Sequence, residues 1–461
     1  MRKKIFTTGV ALGTLVNIYA GGLLTNTNQN VAFLRNPARG ASIEIDAAFT
    51  NPAGLAFLKK DGFYFSLNNQ SAFQTRTITA DFAPFAGFGG KTAKEFEGEA
   101  KAMVIPNLQA AYKKGDWVFS ANIGIAGGGG TLDFKKGVPS FESTVAIVPV
   151  FLNAAQPGLG IGGYSLESQL KGSSIIYGVQ LGISHAISEH FSAYMGYRYN
   201  YVDNGYEGFL KNVNIGMGGN MVPAANIMAN PAFAALRPLV NDKNLDCKQT
   251  GFGIAPILGF DYNCNKFNLG IKYEFQTGLK LTNETTVNTT GVKDYNDGGI
   301  TPYDLPALLA VGAQYDILPR LTFSAGYHHF FDSNAKMANG KQKFINGGVN
   351  EYLAGIEYKT CDYFLISCGA QLTRQGVTDN YQSDLSFSLN SYSLGFGGAI
   401  NITKNIRVNL AYFFTNYDDW EKKTTDYGKI NSLTQVIPAT PGTDIFGRTN
   451  QAFGIGLDFR F

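Results

Sequence analysis

The chain has 461 residues, and its 38 Lys and Arg residues nearly balance its 35 Asp and Glu residues. Three of the basic residues precede residue 5, so the rest of the chain carries no net charge and gives no support to nucleic-acid binding. Only 16% of residues are charged and 13% are aromatic, yet after residue 20 no run reaches the roughly 18 to 20 apolar residues of a spanning helix. This combination argues against both a soluble globular protein and a helical membrane protein. It is typical of a membrane β-barrel, whose lipid face uses only alternate residues.

The segment 1–20 has the pattern of a secretory signal peptide. Arg2, Lys3 and Lys4 form a positively charged start, the stretch 5–16 is mostly apolar, and Ala20 precedes two glycines where cleavage is expected. The apolar stretch is too short for a spanning helix, so the sequence predicts export and removal of this segment.

Residues 21–60 do not alternate as a strand does. They contain two Asn-Pro steps, in Asn36-Pro37-Ala38 and in Asn51-Pro52-Ala53. Proline donates no hydrogen bond to a strand ladder, so both steps predict turns within a compact segment. Irregular backbone at membrane depth finds partners only inside a protein. We therefore expect 21–60 to form a hatch inside a barrel that comprises 61–461, and the role of the first Asn-Pro-Ala element stays open.

The remainder of the chain predicts an all-β fold, a transmembrane antiparallel β-barrel of about fourteen strands. The last segment shows the pattern most clearly, because Phe453, Ile455, Leu457, Phe459 and Phe461 alternate with small or charged residues. Strict alternation places the two sets on opposite faces of a sheet. Candidate strands lie near 62–77, 103–113, 116–126, 173–187, 189–203, 251–263, 266–282, 305–316, 320–331, 350–360, 364–376, 388–402, 405–417 and 451–461.

The connections between these strands alternate in length. Short turns alternate with long segments near 78–102, 127–172, 204–250, 283–304, 332–349, 377–387 and 418–450. Short periplasmic turns and long external loops are the rule for bacterial outer-membrane barrels. The aromatic strand that ends at Phe461 resembles the signal that barrel-assembly machinery recognises. Outer-membrane lipid and that machinery are therefore the expected partners of a monomeric barrel in a Gram-negative cell.

The segment Asn51-Pro52-Ala53-Gly54 follows a small and aromatic run and directly precedes the first strand. In this position it resembles the hatch motif of the FadL family of outer-membrane transporters. The resemblance implies a fourteen-stranded barrel with an N-terminal hatch that carries long-chain fatty acids or other hydrophobic compounds. The likeness covers the architecture of the whole exported chain, but it is a sharp motif only at Asn51, Pro52, Ala53 and Gly54.

The resemblance further implies passive uptake from apolar outer loops, through a lumenal pocket and past the hatch, to a lateral opening. The predicted 204–250 loop is unusually apolar and rich in methionine, which suits ligands of variable shape. The alternative is that this loop and the apolar 127–172 loop pack on each other as a lid. The candidate capture residues are Phe209, Leu210, Ile215, Met217, Met221, Ile227, Met228, Phe233 and Leu236.

Two further sets of residues are candidates for transport. Arg198 and Lys272 fall inward by the parity of their strands, where they could bind a ligand head group or instead pair within the lumen, with Glu274 close by. The resemblance implies a lateral opening at the third strand, and a run of glycines there would weaken the strand ladder, although a merely flexible strand end would show the same pattern. These glycines are Gly124, Gly127, Gly128, Gly129 and Gly130.

Catalytic, metal and nucleotide motifs are lacking in the sequence. His328 and His329 are adjacent on a strand and face opposite sides, so they cannot chelate one ion together. No phosphate-binding loop follows a strand and opens a helix. We therefore expect neither an enzyme nor a cofactor. The remaining alternatives are a general diffusion porin, or a structural or adhesive barrel that only anchors its loops.

The four cysteines leave their pairing open. Cys361 and Cys368 lie around a tight turn, which makes them the better candidates for a disulfide. Cys247 and Cys264 flank one extended strand, which would hold them apart.

Overall fold

The computed structural model describes residues 23, 28–87, 89–427 and 439–461; the predicted signal peptide lies outside the described residues. Within these ranges, eighteen strand segments form one closed antiparallel sheet. They are β1 (Gly62–Phe82), β2 (Ala93–Lys114), β3 (Trp117–Phe134), β4 (Ile161–Ala186), β5 (Phe191–Met217), β6 (Asn220–Pro223), β7 (Lys243–Cys264), β8 (Phe267–Glu274), β9 (Lys280–Asn288), β10 (Ile300–Pro302), β11 (Leu308–Leu318), β12 (Leu321–Phe330), β13 (Asn350–Lys359), β14 (Phe364–Arg374), β15 (Ser391–Asn401), β16 (Ile406–Tyr417), β17 (Trp420–Thr424) and β18 (Gly442–Arg460).

Helices are few and short. The α-helices in the described ranges are α1 (Val31–Arg35), α2 (Ala47–Thr50), α3 (Pro139–Ala155), α4 (Ala224–Ile227) and α5 (Arg237–Val240). Short 3₁₀ helices include Pro52–Phe57 and Pro231–Leu236. None of the described helices has both the length and the apolar character that crossing a membrane requires.

The strand segments make fourteen wall strands. β8 with β9, β10 with β11, and β16 with β17 each continue one wall strand, and β6 only extends an outer hairpin. β1 pairs with β2 on one side and with β18 on the other, from Tyr64 opposite Arg460 to Phe82 opposite Gly442. This last pairing closes the barrel. The predicted antiparallel barrel of about fourteen strands is confirmed.

The two faces of the wall differ as the alternation predicts. On β18 the outward Phe453 and Ile455 are 49% and 52% exposed, whereas the inward Ala452 is buried. Aromatic side chains at the ends of the strands, beside the short turns, form an exposed girdle of the kind found at membrane interfaces. Its members include Phe63, Trp117, Phe191, Tyr363 and Phe461. An apolar exterior with such a girdle shows that lipid is the solvent of the wall.

One side of the wall extends well beyond the bilayer. β4 and β5 contain 26 and 27 residues, whereas a tilted spanning strand needs roughly 9 to 11. The prediction of loops at 127–172 and 204–250 is therefore wrong at their ends, where the strands continue. Beyond the lipid the outward face no longer has to be apolar, so the alternation that marks a spanning strand fades there.

All four cysteines are free. Cys247 and Cys264 lie near opposite ends of β7, as their spacing predicts. Cys368 lies on β14 and Cys361 in the turn before it, and these two do not form a disulfide either.

Candidate functional site

The hatch, which we define as residues 28–58, lies inside the barrel. Its second helix, α2, ends at Thr50, and the 3₁₀ helix Pro52–Phe57 follows at once. The amide of Asn51 donates to the carbonyl of Ser42 at 3.1 Å and also to the carboxylate of Asp261 on β7. A Cβ at Gly54 would lie only 2.7 Å from the Ser42 carbonyl oxygen, so this position accepts only glycine. These contacts explain the Asn-Pro-Ala-Gly motif.

Polar side chains of the inner wall hold the backbone of the hatch. Because irregular backbone buried in a barrel has unsatisfied carbonyls, each needs a donor from the surrounding strands. The donor and acceptor pairs are Gln180 to Ala48 at 2.9 Å, Ser184 to Pro52 at 2.6 Å, Ser192 to Ala53 at 2.8 Å, and Lys113 to Ala56 at 2.6 Å.

The first Asn-Pro-Ala element has a similar role on the opposite wall. It follows α1, and the amide of Asn36 donates to Ser324 on β12 at 3.1 Å. The fully buried Arg35 donates to Glu357 on β13 at 2.5 Å and to Ser367 on β14 at 2.7 Å. The two elements therefore fix the two halves of the hatch to different sides of the barrel.

Glycines on adjacent wall strands make room for the hatch. Gly312 on β11 is the register partner of Gly270 on β8, and Gly369 on β14 is the partner of both Gly355 and Gly395. A Cβ at any of them would overlap backbone or side-chain atoms of the hatch. Glycine at matched heights in neighbouring strands was the sequence signal that would have revealed this contact surface.

Arg198 and Lys272, the predicted head-group residues, come together against the ring of the hatch residue Phe49. Their cationic groups lie 4.8 Å and 4.6 Å from the centre of the Phe49 ring. Arg198 also pairs with Glu274 at 2.6 Å, and Lys272 donates to the Phe49 carbonyl at 2.8 Å. In this structure Arg198 is engaged by Glu274 and the Phe49 ring, and Lys272 is engaged by the hatch.

A polar vestibule separates the hatch from the short turns. Its cavity of about 420 Å³ is lined by many charged groups, including Arg39, Glu44 and Arg407. Arg407 on β16 donates to Glu44 at 2.9 Å. Burial alone would raise the pKa of the Glu44 carboxyl, but Arg407 and Arg39 hold that pKa well below its usual range. The hatch therefore stays paired with the wall at neutral pH, and the vestibule is a poor environment for an apolar molecule.

The pairing between two neighbouring wall strands is interrupted on one side of the barrel. Pairing between β2 and β3 stops at Asn107 opposite Gly124 and resumes at Ala100 opposite Leu132. We call the unpaired stretches, 101–106 and 125–131, the wall gap. On its far side β3 bulges twice against β4, between Ile125 and Gly127 and between Gly128 and Gly130.

The predicted glycines lie along this gap. Gly124 is the last paired residue below it, and Gly127 to Gly130 form its edge. Gly128 and Gly130 have φ values of 102° and 70°, which L side chains rarely adopt, and a Cβ at Gly129 would meet open space. Bulges that use left-handed glycine bend a strand away from its neighbour. The wall gap thus follows from the glycines and bulges of β3.

The outer apolar cluster is formed where α3 packs against 218–242 and the upper part of β5. Of the predicted capture residues, Phe209, Leu210, Ile215 and Met217 lie on β5 rather than in a loop, which corrects that part of the prediction. Met217 is half-buried at the cluster and Met221 is 45% exposed. The remaining buried members from the prediction are Leu210, Ile215, Ile227, Met228, Phe233 and Leu236.

These segments pack on each other as the lid alternative expects, and they leave a small apolar cavity at one edge. The cavity holds about 40 Å³ and is lined by Phe141 and Thr144 of α3 together with Phe209, Leu245 and Tyr295. Aromatic and aliphatic walls suit an apolar ligand. Packing and capture are therefore compatible in this part of the barrel.

A second apolar cluster fills the upper lumen. The connection 375–390, which we call the inward loop, turns into the barrel and buries Leu385, Phe387 and Leu389 among residues of the wall. Three hydrogen bonds fix this loop. Lys341 donates to the Ser386 carbonyl at 2.9 Å, and Lys422 donates to the Gln382 carbonyl at 2.7 Å. The backbone amide of Ser140 donates to the Asp384 carboxylate at 2.7 Å. The sequence analysis predicted a connection at 377–387 but missed its inward turn, although Leu385, Phe387 and Leu389 alternate with serine.

The closed wall, its aromatic girdle and the internal hatch define the chain as an outer-membrane β-barrel. Comparison with protein-family models and with curated sequences finds no match. Solved structures do match: a Pseudomonas aeruginosa FadL homologue has a TM-score of 0.64 at 12% identity, with 96% of this chain and 100% of the other covered. The toluene transporters TbuX of Ralstonia pickettii and TodX of Pseudomonas putida each give 0.55 at 15% identity, with 95% and 99% covered. The resemblance to FadL-type barrels is thus confirmed in the fold.

Proposed function

We propose that this chain is an outer-membrane channel for the passive uptake of hydrophobic small molecules. Cargo binds first at the outer apolar cluster, moves into the apolar upper lumen, reaches the hatch and leaves sideways through the wall gap. The observation that carries the proposal is that the wall gap lies directly beside the apolar upper lumen. Gly129 and Gly130 of the gap edge line the same cavity of about 30 Å³ as Leu132, Leu170 and Leu385.

A sideways exit suits an apolar molecule for energetic reasons. Each methylene group left in water costs about 0.8 kcal/mol relative to an apolar environment. The charged vestibule below the hatch would impose that cost, whereas the wall gap leads from an apolar lumen directly to lipid. The solved barrels of similar fold, which are described as a FadL homologue and as toluene transporters, support cargo of this kind.

A general diffusion porin is the less favoured alternative. Such a porin needs an open, water-filled lumen. In the described part of this chain, the hatch fills the lower lumen and the inward loop packs with the wall in the upper lumen. A purely structural or adhesive barrel is also less favoured, because the apolar cluster continues from Ile147 of α3 to Ile78 and Phe446 of the wall.

The proposal predicts that Phe141→Ser combined with Phe209→Ser weakens uptake at low cargo concentration. The two rings line the outer cavity, and burying one aromatic ring contributes about 1.5 to 3 kcal/mol. We expect the concentration for half-maximal uptake to rise by about tenfold, with little change in the maximal rate.

The control for this pair is Ile300→Ser, which removes an apolar side chain that is 68% exposed and lies outside the cavity. Uptake of a labelled hydrophobic compound by cells is measured against its concentration for all three proteins. If the double variant and the control behave alike, the outer cluster does not capture cargo.

A further inference from the structure

Two cavities on the proposed route are connected through the tip of the inward loop, residues 383–386. The outer cavity of about 40 Å³ is lined in part by Ser140 of α3. The second cavity, of about 30 Å³, lies at the edge of the wall gap and is lined in part by Asp384 and Leu385; we call it the gap cavity. The backbone amide of Ser140 donates to the Asp384 carboxylate at 2.7 Å. The wall of one cavity is thus hydrogen-bonded directly to the wall of the other.

The tip is a tight turn that satisfies its own backbone. Ser383 and Ser386 exchange backbone hydrogen bonds at 3.2 Å and 3.1 Å, which leaves the aspartate and the leucine at the apex. Next to this pair, the side chain of Gln382 accepts from the Ser388 amide at 3.0 Å and donates to the Ser388 carbonyl at 2.7 Å. Because buried backbone groups need partners, these bonds let the turn keep its shape inside the lumen. The apex therefore presents its side chains at a defined place.

The position of the tip is fixed from both sides. A carboxylate is favourable at a helix N-terminus, so the bond from the first turn of α3 to Asp384 ties the tip to the outer apolar cluster. On the other side, Lys341 donates to the Ser386 carbonyl at 2.9 Å. Beside the apex, Phe387 is buried and its ring lies 4.9 Å from the ring of Phe446 on β18. The leucine at the apex cannot move aside unless these contacts are broken.

Leu385 limits the width of the gap cavity. Its side chain is buried, and it shares the lining of the cavity with Gly129 and Gly130 of the wall gap. A space of about 30 Å³ is close to the volume of one water molecule in the liquid, whereas a cavity of about 150 Å³ accepts a benzene ring. An unbranched alkyl chain is only one methylene group wide, so it needs much less rearrangement here than a ring. The glycines have no side chain to withdraw, which leaves the leucine as the residue whose size matters.

We propose that the tip of the inward loop is a width filter between the outer cavity and the wall gap, and that Leu385 sets the width of cargo that passes. This inference rests on the proposed function and adds a specificity-determining residue to it. The discrimination is steric, because extra methylene groups forced into a well-packed site displace the neighbouring atoms. The resulting penalty corresponds to a factor of roughly five to a hundred in an equilibrium. No charge on the cargo is required.

The test compares two uncharged compounds that differ in width. Linear dodecanol and cyclododecanol share their number of carbon atoms and their hydroxyl group, but the second is a ring. The initial uptake rate of each labelled compound is measured in cells with and without the full chain in their outer membrane. With the unaltered chain, we expect the acceleration to be at least about tenfold greater for dodecanol. Leu385→Ala is expected to raise the uptake of cyclododecanol by about tenfold and to leave that of dodecanol nearly unchanged.

The control variant is Leu389→Ala, which makes the same truncation in the same loop and apolar cluster but outside the gap cavity; folding of each variant is checked by its heat-modifiable mobility on gels. Equal acceleration of both compounds by the unaltered chain would overturn the inference, and this comparison needs no variant to fold. A folded Leu385→Ala chain that still discriminates, or a Leu389→Ala chain that admits cyclododecanol equally well, would also overturn it. Failure of the proposed function is distinguishable, because then neither compound would enter faster with the chain than without it.

Discussion

Deletion of Ala126 and Gly129 from β3 is expected to stop the uptake of hydrophobic compounds while the barrel still folds. These two residues are the ones that bulge against β4. Without them β3 can pair with β2 across 101–106 and close the wall gap. Cargo would then have to leave through the charged vestibule, where every methylene group costs about 0.8 kcal/mol. For cargo with several methylene groups, we expect uptake to fall by at least about tenfold.

The matched control for this deletion removes Gly89 and Gly90, which are exposed in the connection between β1 and β2. Both variants lose two residues, but only the first alters the wall gap. Uptake of a labelled hydrophobic compound is measured, with heat-modifiable gel mobility as the test of folding. Normal uptake by a folded Ala126 and Gly129 deletion would show that cargo does not use the gap.

Removal of the hatch is expected to turn the barrel into a pore for polar solutes. The hatch fills the lower lumen, and the wall residues that contact it, such as Gln180, Ser184 and Lys272, are polar and would become hydrated. Because the inward loop also packs in the upper lumen, the comparison uses a variant from which 379–388 has been removed. In that variant we expect deletion of 28–58 to raise sugar permeability on the order of tenfold or more, because a fourteen-strand barrel without its plug encloses water. Liposome swelling in sugar solutions measures this change.

A cross-linked hatch provides the companion measurement. A Cβ built on Gly259 lies 3.6 Å from the Cβ of Ala53, which suits a disulfide. With the four native cysteines replaced by serine, Ala53→Cys with Gly259→Cys should form that bond on oxidation and stay impermeable to sugars. Ala53→Cys with Gly253→Cys should not, since a Cβ at Gly253 meets Thr277 and Gly278 instead. An impermeable barrel after hatch deletion would contradict the assigned role of the hatch.

The wall was predictable from the sequence because lipid imposes a simple rule on it. Every outward residue within the bilayer must be apolar, so alternation on strands such as β18 marks each span. The rule ends where lipid ends. On the upper part of β5, two outward positions that would have to be apolar within the bilayer are the exposed Glu207 and the half-buried Lys211. The sequence therefore predicts a loop there, although the strand continues.

The candidate site was less predictable because its residues meet only through closure of the barrel. Parity correctly placed Arg198 and Lys272 inward, but nothing in their strands indicates that Phe49 of the hatch lies over both. The hatch motif could be predicted from the segment Asn51 to Gly54. Its contacts with the wall could not, because the glycines of β8, β11 and β14 become neighbours only once the register of these strands is known.

The most direct test of the account is the rate at which cells take up a labelled, uncharged hydrophobic compound with and without this chain in their outer membrane. We predict faster uptake in cells that contain the chain, no acceleration for a sugar of similar size, and no loss of the effect when the proton gradient is collapsed. Unchanged uptake of the hydrophobic compound, or equal acceleration of the sugar, would contradict a hydrophobic-compound channel with a closed hatch.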